Sequence, residues 1–306
     1  MLSTSRLQVL REVIDHGSFS AAADALSYSQ SAVSQAIATL EGEAGATLIE
    51  RTRSGARPTA AGAALARHAG GILAQIEAAE SEVAAIASGH GGHLRVASFP
   101  TAGATLMPGA VTAFRASHPG VELTLAEGEP EEIAPRLRAG EFDLVLLFEF
   151  PGFGERLGAG MRRFDLLDDP LHLALPHDHH LAGRSRLRLE DLAEDSWVQT
   201  SAASPCARHV VRSCHQAGFD PRVSFESDDY QTVQGLVAAG VGVALIPQLA
   251  LSTVRPDILV RPLDPQTPVR KVFAATPDSA AATPAVATML DVLREAGRRV
   301  AEGETP

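Results

Sequence analysis

Five polar residues cluster near the N-terminus: Ser29, Gln30, Ser31, Ser34 and Gln35. Their side chains are short or flexible donors and acceptors. Placed at the start of a helix, such groups hydrogen-bond to base edges and phosphates in a nucleic-acid groove. Three cations follow within seven residues, Arg51, Arg53 and Arg57. In one loop they would neutralise backbone phosphates.

These groups need two tightly crossed helices to hold them. Ala22, Ala23 and Leu26 give the first helix a small apolar face, which lets a second helix cross it steeply. Ser27-Tyr28-Ser29 breaks the pattern, and Ser29 is placed to cap the next helix. Val33, Ile37 and Leu40 recur at i, i+4 and i+7 and form a buried stripe opposite the polar set. Leu7, Leu10, Val13 and Ile14 predict a supporting helix that ends near Gly17. An alanine-rich helical bundle with a polar face would share this spacing.

The segment from Phe19 to Glu41, with Ser29-Gln30-Ser31-Ala32-Val33-Ser34, resembles the DNA-binding motif of LysR-type transcriptional regulators. The run from Leu48 to Gly62, with Arg51, Arg53, Arg57 and Pro58, resembles that family's wing and the start of its linker helix. Many members carry a second arginine where Ser54 stands; here Arg53 is the neighbouring cation. The resemblance implies a winged helix-turn-helix over 1–58, a linker and dimerisation helix over 59–88 and a hinge over 89–92. It also implies a two-lobed α/β effector domain of periplasmic-binding-protein type over 93–306. The expected partners are double-stranded promoter DNA, a small-molecule effector and further copies of the chain, dimerised through the linker helix and assembled as a homotetramer.

Bulk composition bounds these expectations. A chain of 306 residues suits two or more domains, and 45% hydrophobic residues suffice for large cores. The formal charge of −11 is unusual for a DNA binder. Residues 1–62 do not reverse it, with five arginines against six acids. Phosphate binding must therefore rest on local placement of the three arginines, on helix N-termini and on linked copies. No signal peptide or membrane span is evident, and two cysteines suit a reducing compartment, so a cytoplasmic location is expected.

Over 59–88, Leu65, Ala69, Ile72, Ile76, Ala79, Val83 and Ile86 alternate at spacings of four and three. That is a coiled-coil seam on a helix of roughly 45 Å. From residue 93, strands and helices alternate. Strands are predicted over 94–99, 121–126, 142–148, 171–175, 196–200, 223–226, 242–246 and 269–275. Helices are predicted over 106–117, 131–139, 205–217, 230–239 and 285–298. Lobe I would comprise 93–164 and 267–306, and lobe II 165–266, with crossings near 164 and 267. The glycines of 235–242 read as close-packing positions, because no phosphate-loop or nucleophile-elbow motif is present.

Ligands of open α/β sheets bind beyond the carboxyl ends of strands. Those ends carry Ser98, Pro100 and Thr101, then Gly128, then Glu149, then Thr200 and Ser201. The resemblance also puts effector contacts at the first and last of these positions. Hydroxyls before a helix suit an anion, whereas Glu127, Glu129 and Glu149 suit a cationic or hydroxyl-rich ligand. Cys206 and Cys214 stand eight residues apart, about 12 Å along a helix, too far to bridge without local unfolding. Peroxide-sensing members of the resembled family use two cysteines here, so redox sensing is an alternative; a solute-binding protein is another. His177-Asp178-His179-His180 has metal-ligating side chains, but no further ligands are in view. No metal, cofactor or catalysis is expected.

Overall fold

Gly17 ends the first helix, α1 (Thr4–His16), at φ +61°, a left-handed conformation that glycine adopts without strain. The structure, a computed structural model, describes residues 2–52, 55–88, 92–152, 157–158, 160–264 and 267–302. Helices α2 (Phe19–Leu26) and α3 (Gln30–Ala44) follow, each capped by a serine. Ser29 Oγ accepts from the Ala32 N–H at 3.2 Å, as its position before the polar run predicts. Leu7, Leu10, Val13, Ala22, Ala23, Val33, Ile37 and Leu40 close one core.

A hairpin of β1 (Ile49–Thr52) and β2 (Gly55–Pro58) forms the wing. The Glu41 carboxylate accepts the Leu48 and Ile49 N–H groups, which ties the wing to the end of α3. The Ala56 N–H bonds the Gly17 carbonyl at 2.7 Å. The hairpin is thereby pinned to both α1 and α3.

Helix α4 (Ala60–Ser88) carries the predicted seam, but its two ends differ. Leu65 and Ala69 pack into the core of α1–α3, whereas Ile72, Ile76, Ala79 and Val83 are exposed. The first part of the seam belongs to the chain's own N-terminal unit. Ile86 has no described side chain, and residues 89–91 of the expected hinge lie outside the described residues.

The remaining elements build two α/β lobes around continuous strands. The main sheet runs in the order Ile258–Arg261, Met161–Pro176, Val269–Pro277, Leu144–Glu149, His93–Ser98, Glu122–Glu127, with Ala244–Pro247 also paired to Met161–Pro176. Strands β3 (His93–Ser98), β4 (Glu122–Glu127) and β5 (Leu144–Glu149) are parallel neighbours, β3 lying between the other two. Helices α5 (Pro100–Ser117) and α6 (Pro130–Arg138) connect them. Strand β6 (Met161–Pro176) is much longer than the predicted 171–175. Residues 161–170 pair with β11 (Val269–Pro277), and the rest pairs with β9 (Ala244–Pro247) and β10 (Ile258–Arg261). The strand changes partners between Pro170 and Leu171, six residues beyond the crossing expected at 164. Its first half breaks its apolar residues with Arg162, Arg163, Asp165, Asp168 and Asp169, so it carries neither a continuous apolar run nor a regular alternation to mark it.

Lobe II also holds β7 (Ser196–Gln199), α7 (Pro205–Gln216), β8 (Arg222–Glu226) and α8 (Tyr230–Ala238). A Cβ on Gly242 would lie 2.5 Å from the Ser196 carbonyl oxygen, so the glycine there serves close packing. Helix α9 (Pro284–Ala301) returns to lobe I and packs on α5 and β6.

Candidate inter-lobe site and DNA-binding face

The polar set of α3 is presented outward. Ser29, Gln30, Ser31 and Gln35 are exposed and Ser34 is half-buried, because Val33 and Ile37 take the opposite face inward. Arg57 is exposed on β2, opposite Glu50. Arg51 stands on β1 opposite Ala56, and Arg53 lies outside the described residues. Arg6 does not join this surface set: its guanidinium pairs with Glu43 at 2.6 Å. One acid of the N-terminal unit is thus neutralised internally, and Glu41 is engaged by the wing backbone.

In the effector half, the carboxyl ends of the strands converge on the junction of the lobes. Helix α5 starts at Pro100, six residues earlier than predicted, with proline in the first turn where no N–H is needed. Pro100 and Thr101 therefore sit on a helix start facing lobe II. Together with Phe99, Glu129, Phe148, Thr200, Ser204, Cys206, Asp228, Tyr230 and Arg270, they line a cavity of about 20 Å³. That is room for roughly one water.

Arg270 organises this cavity. Its guanidinium bonds Asp169 Oδ2 and Thr101 Oγ1, each at 2.6 Å, and points Nη1 at Cys206 Sγ, 3.9 Å away. The rings of Phe99 and Phe148 lie 5.0 and 4.6 Å from the guanidinium carbon. Burial works to lower Arg270, but Asp169, Cys206 and Tyr230 together outweigh it and keep the guanidinium charged. Burial pushes the Glu129 carboxyl up to about 7, against the opposing pull of Arg270. It also pushes the Cys206 thiol and the Tyr230 phenol up.

Not every expected contact reaches the cavity. Thr101, Pro100 and Thr200 do. Glu149 instead pairs with Arg163 at 2.5 Å, since strand alternation sends it to the face opposite Phe148. Ser98 is buried, and its carbonyl accepts the Gly128 N–H. A Cβ on Gly128 would meet Ile133 Cγ2 at 2.9 Å, so that glycine serves packing. The Ser201 N–H bonds the Asp228 carboxylate, which closes the loop before α7. The residues missed from the sequence are Arg270, Asp169, Asp228 and Tyr230. Each joins the site only through strand or helix pairings distant in the chain.

A second, larger cavity of about 280 Å³ adjoins the first through Phe148. Pro130, Glu131, Ala134 and Arg138 of α6 form one wall, Pro205 and Arg208 of α7 another, and Leu147, Leu157 and Phe273 the apolar remainder. Glu131 and Arg208 pair across the lobes at 3.0 Å.

The two cysteines are free and buried on α7. Burial pushes Cys214 up to about 12. His179 and His180 approach Asp195 closely enough to suggest a metal cluster. His179 accepts the Leu181 N–H at one ring nitrogen and bonds Asp195 at the other, which ties the turn to lobe II.

Residues 4–63 match the family described as bacterial regulatory helix-turn-helix protein, lysR family, and residues 87–298 match LysR substrate binding domain. The chain belongs to the LysR family of transcriptional regulators. It is 33% identical to the probable HTH-type transcriptional regulator LrrA of Synechococcus elongatus, over 98% of this chain and 99% of that protein. It is 29% identical to the hydrogen peroxide-inducible genes activator of Dickeya chrysanthemi, over 80% and 79% of the two chains. The crystal structure of full-length CbnR complexed with its target DNA superposes with a TM-score of 0.71 at 23% identity, covering 96% of this chain and 100% of that one. A LysR-type regulator is a DNA-binding transcription factor, not an enzyme. It binds promoter DNA and small-molecule effectors and it oligomerises. Among the described residues of this one, no helix is long and apolar enough to cross a membrane.

Proposed function

We propose that this LysR-type regulator is cytoplasmic and responds to a small molecule held between its lobes. On this reading Ser29, Gln30, Ser31, Ser34, Gln35, Arg51, Arg53 and Arg57 contact DNA, and the exposed part of α4 pairs two chains within a homotetramer. Ligand shifts the population between two assemblies that space the DNA-binding units differently. One contact carries this reading. Helix α6 walls the larger inter-lobe cavity, and its C-terminal end touches the linker helix, where a Cβ on Gly71 would lie 2.4 Å from the Ala139 carbonyl oxygen. A change at the cavity wall therefore reaches α4 through backbone contact. A promoter footprint that changes in length when a bound ligand is added supports the mechanism. A footprint indifferent to every ligand that binds overturns it.

Arg270 favours a second reading, redox sensing at Cys206. A guanidinium 3.9 Å from the sulfur stabilises a thiolate, against the burial that pushes the thiol up. The relative named a hydrogen peroxide-inducible genes activator adds support. Peroxide treatment followed by mass spectrometry tests it: a Cys206–Cys214 disulfide formed at low peroxide supports the reading, and unmodified thiols exclude it.

A further inference from the structure

The histidine run at 177–180 meets a further ligand only in the fold. His179 and His180 lie in the turn after β6, and Asp195 directly precedes β7. One ligand atom from each of the three lies within 4.8 Å of the other two. The turn is fixed by backbone bonds from the His179 N–H to Pro176 and from the Ala182 N–H to His179, and by the buried Leu181 side chain. The side chains of His179 and Asp195 are 8% and 18% exposed, whereas His180 is exposed. His179 Nε2 stands 3.1 Å from Asp195 Oδ1, and the His179 and His180 rings lie 4.4 Å apart. Asp195 Oδ2 is buried and has no hydrogen-bond partner among the described residues. A buried carboxylate oxygen without a donor is costly, and a cation beside it relieves that cost. None of the three residues lines either inter-lobe cavity.

We propose that His179, His180 and Asp195 bind one divalent transition-metal ion of the zinc type on lobe II. Two imidazoles select against magnesium and calcium, which take oxygen ligands, and the carboxylate adds charge. Zinc bonds of about 2.0–2.2 Å at tetrahedral angles set neighbouring ligand atoms about 3.4 Å apart. His179 and Asp195 are already near that spacing. His180, on the solvent side, closes the remaining gap by turning its ring. Three protein ligands leave the fourth position to water. His179 Nδ1 accepts the Leu181 N–H, so Nε2 carries the proton that faces Asp195. Metal binding at Nε2 moves that proton to Nδ1, and the 3.2 Å bond from Leu181 is given up. The ion then staples the turn after β6 to the segment before β7.

The test is calorimetric titration of the chelator-treated full chain with zinc chloride, beside magnesium chloride. The contacts of His16 with Glu12 and of His215 with Asp220 offer two ligands each and should bind zinc more weakly. The expected result is one zinc ion per chain at micromolar concentration and no magnesium at millimolar concentration. His180→Ala removes only an exposed ring. Asp195→Asn keeps an oxygen for His179 and removes the charge. Each should weaken the site by at least about tenfold, since loss of an outer-shell partner alone costs that much. Zinc should also raise the melting temperature of the wild type and leave that of His180→Ala unchanged. The proposal is overturned if no stoichiometric zinc binds at micromolar concentration, or if magnesium binds as well as zinc. Zinc affinity undiminished in either variant, or a zinc-dependent melting shift retained by His180→Ala, overturns it equally, because the ion then sits elsewhere.

Discussion

Arg270 and Asp169 face each other across the β11–β6 ladder, joined at 2.6 Å, with side chains 2% and 0% exposed. The pair sits one step before β6 changes partners from lobe I to lobe II. Every arm of it is used: Arg270 also reaches Thr101 on α5, and Asp169 Oδ1 accepts the Leu249 N–H. The two lobes thus share one satisfied buried ion pair. Breaking it by Arg270→Met or Asp169→Asn strands the remaining partner and should cost about 3–5 kcal/mol. The double variant Arg270→Met with Asp169→Leu should recover much of that loss. Urea unfolding of the four proteins measures this; equal losses in single and double variants would show that packing, not the charge pair, dominates.

Glu129 should make stability depend on pH in a definite direction. Its folded value of about 7 lies above the ordinary 4.5, so the folded state holds the proton more tightly than the unfolded state. Its contribution is complete below about 4.5 and is lost as pH rises through about 7. Burial lowers His209, stacked on Phe150, to about 4, and this gives the opposite slope, with stability lost as pH falls from about 6.5. The gain in melting temperature from Glu129→Gln should therefore grow between pH 5 and pH 8. A gain that is flat with pH would remove Glu129 as the titrating group.

Gly71→Ala should separate ligand binding from DNA response. A methyl there cannot fit 2.4 Å from the Ala139 oxygen, so α4 must lift from α6. Overpacking of this kind costs about 1–3 kcal/mol, small enough to leave the chain folded. The expected variant binds effector with nearly unchanged affinity and binds promoter DNA, but its footprint no longer changes on ligand addition. Retention of the ligand-dependent change would show that the coupling runs elsewhere.

Arg57→Ala should weaken promoter binding and flatten its salt dependence, by about 0.9 in the logarithmic slope for each copy that contacts DNA. Gln30→Ala should change the choice between operator variants more than the salt slope, because a carboxamide reads bases and carries no charge. Mobility-shift titrations across salt concentrations measure both. Identical slopes for wild type and Arg57→Ala would place that arginine off the backbone.

The N-terminal unit was legible in the sequence because its contacts are local. Ser29 caps the helix that follows it, and Val33, Ile37 and Leu40 lie about one helical turn apart, so residue spacing alone specifies which face is buried. The alternation of strand and helix after residue 93 was legible for the same reason, as were Pro100, Thr101 and Thr200 at strand ends. Tertiary structure alone decided the centre of the effector half. Arg270 is 101 residues from Asp169 and 169 from Thr101, and no periodicity links them. A strand that serves two lobes has no signature of its own, since its residues answer to different neighbours along its length. The split of the α4 seam has the same cause. Spacing reveals that Leu65, Ala69, Ile72 and Ile76 share a stripe; only packing decides that the first two face their own domain and the last two face outward.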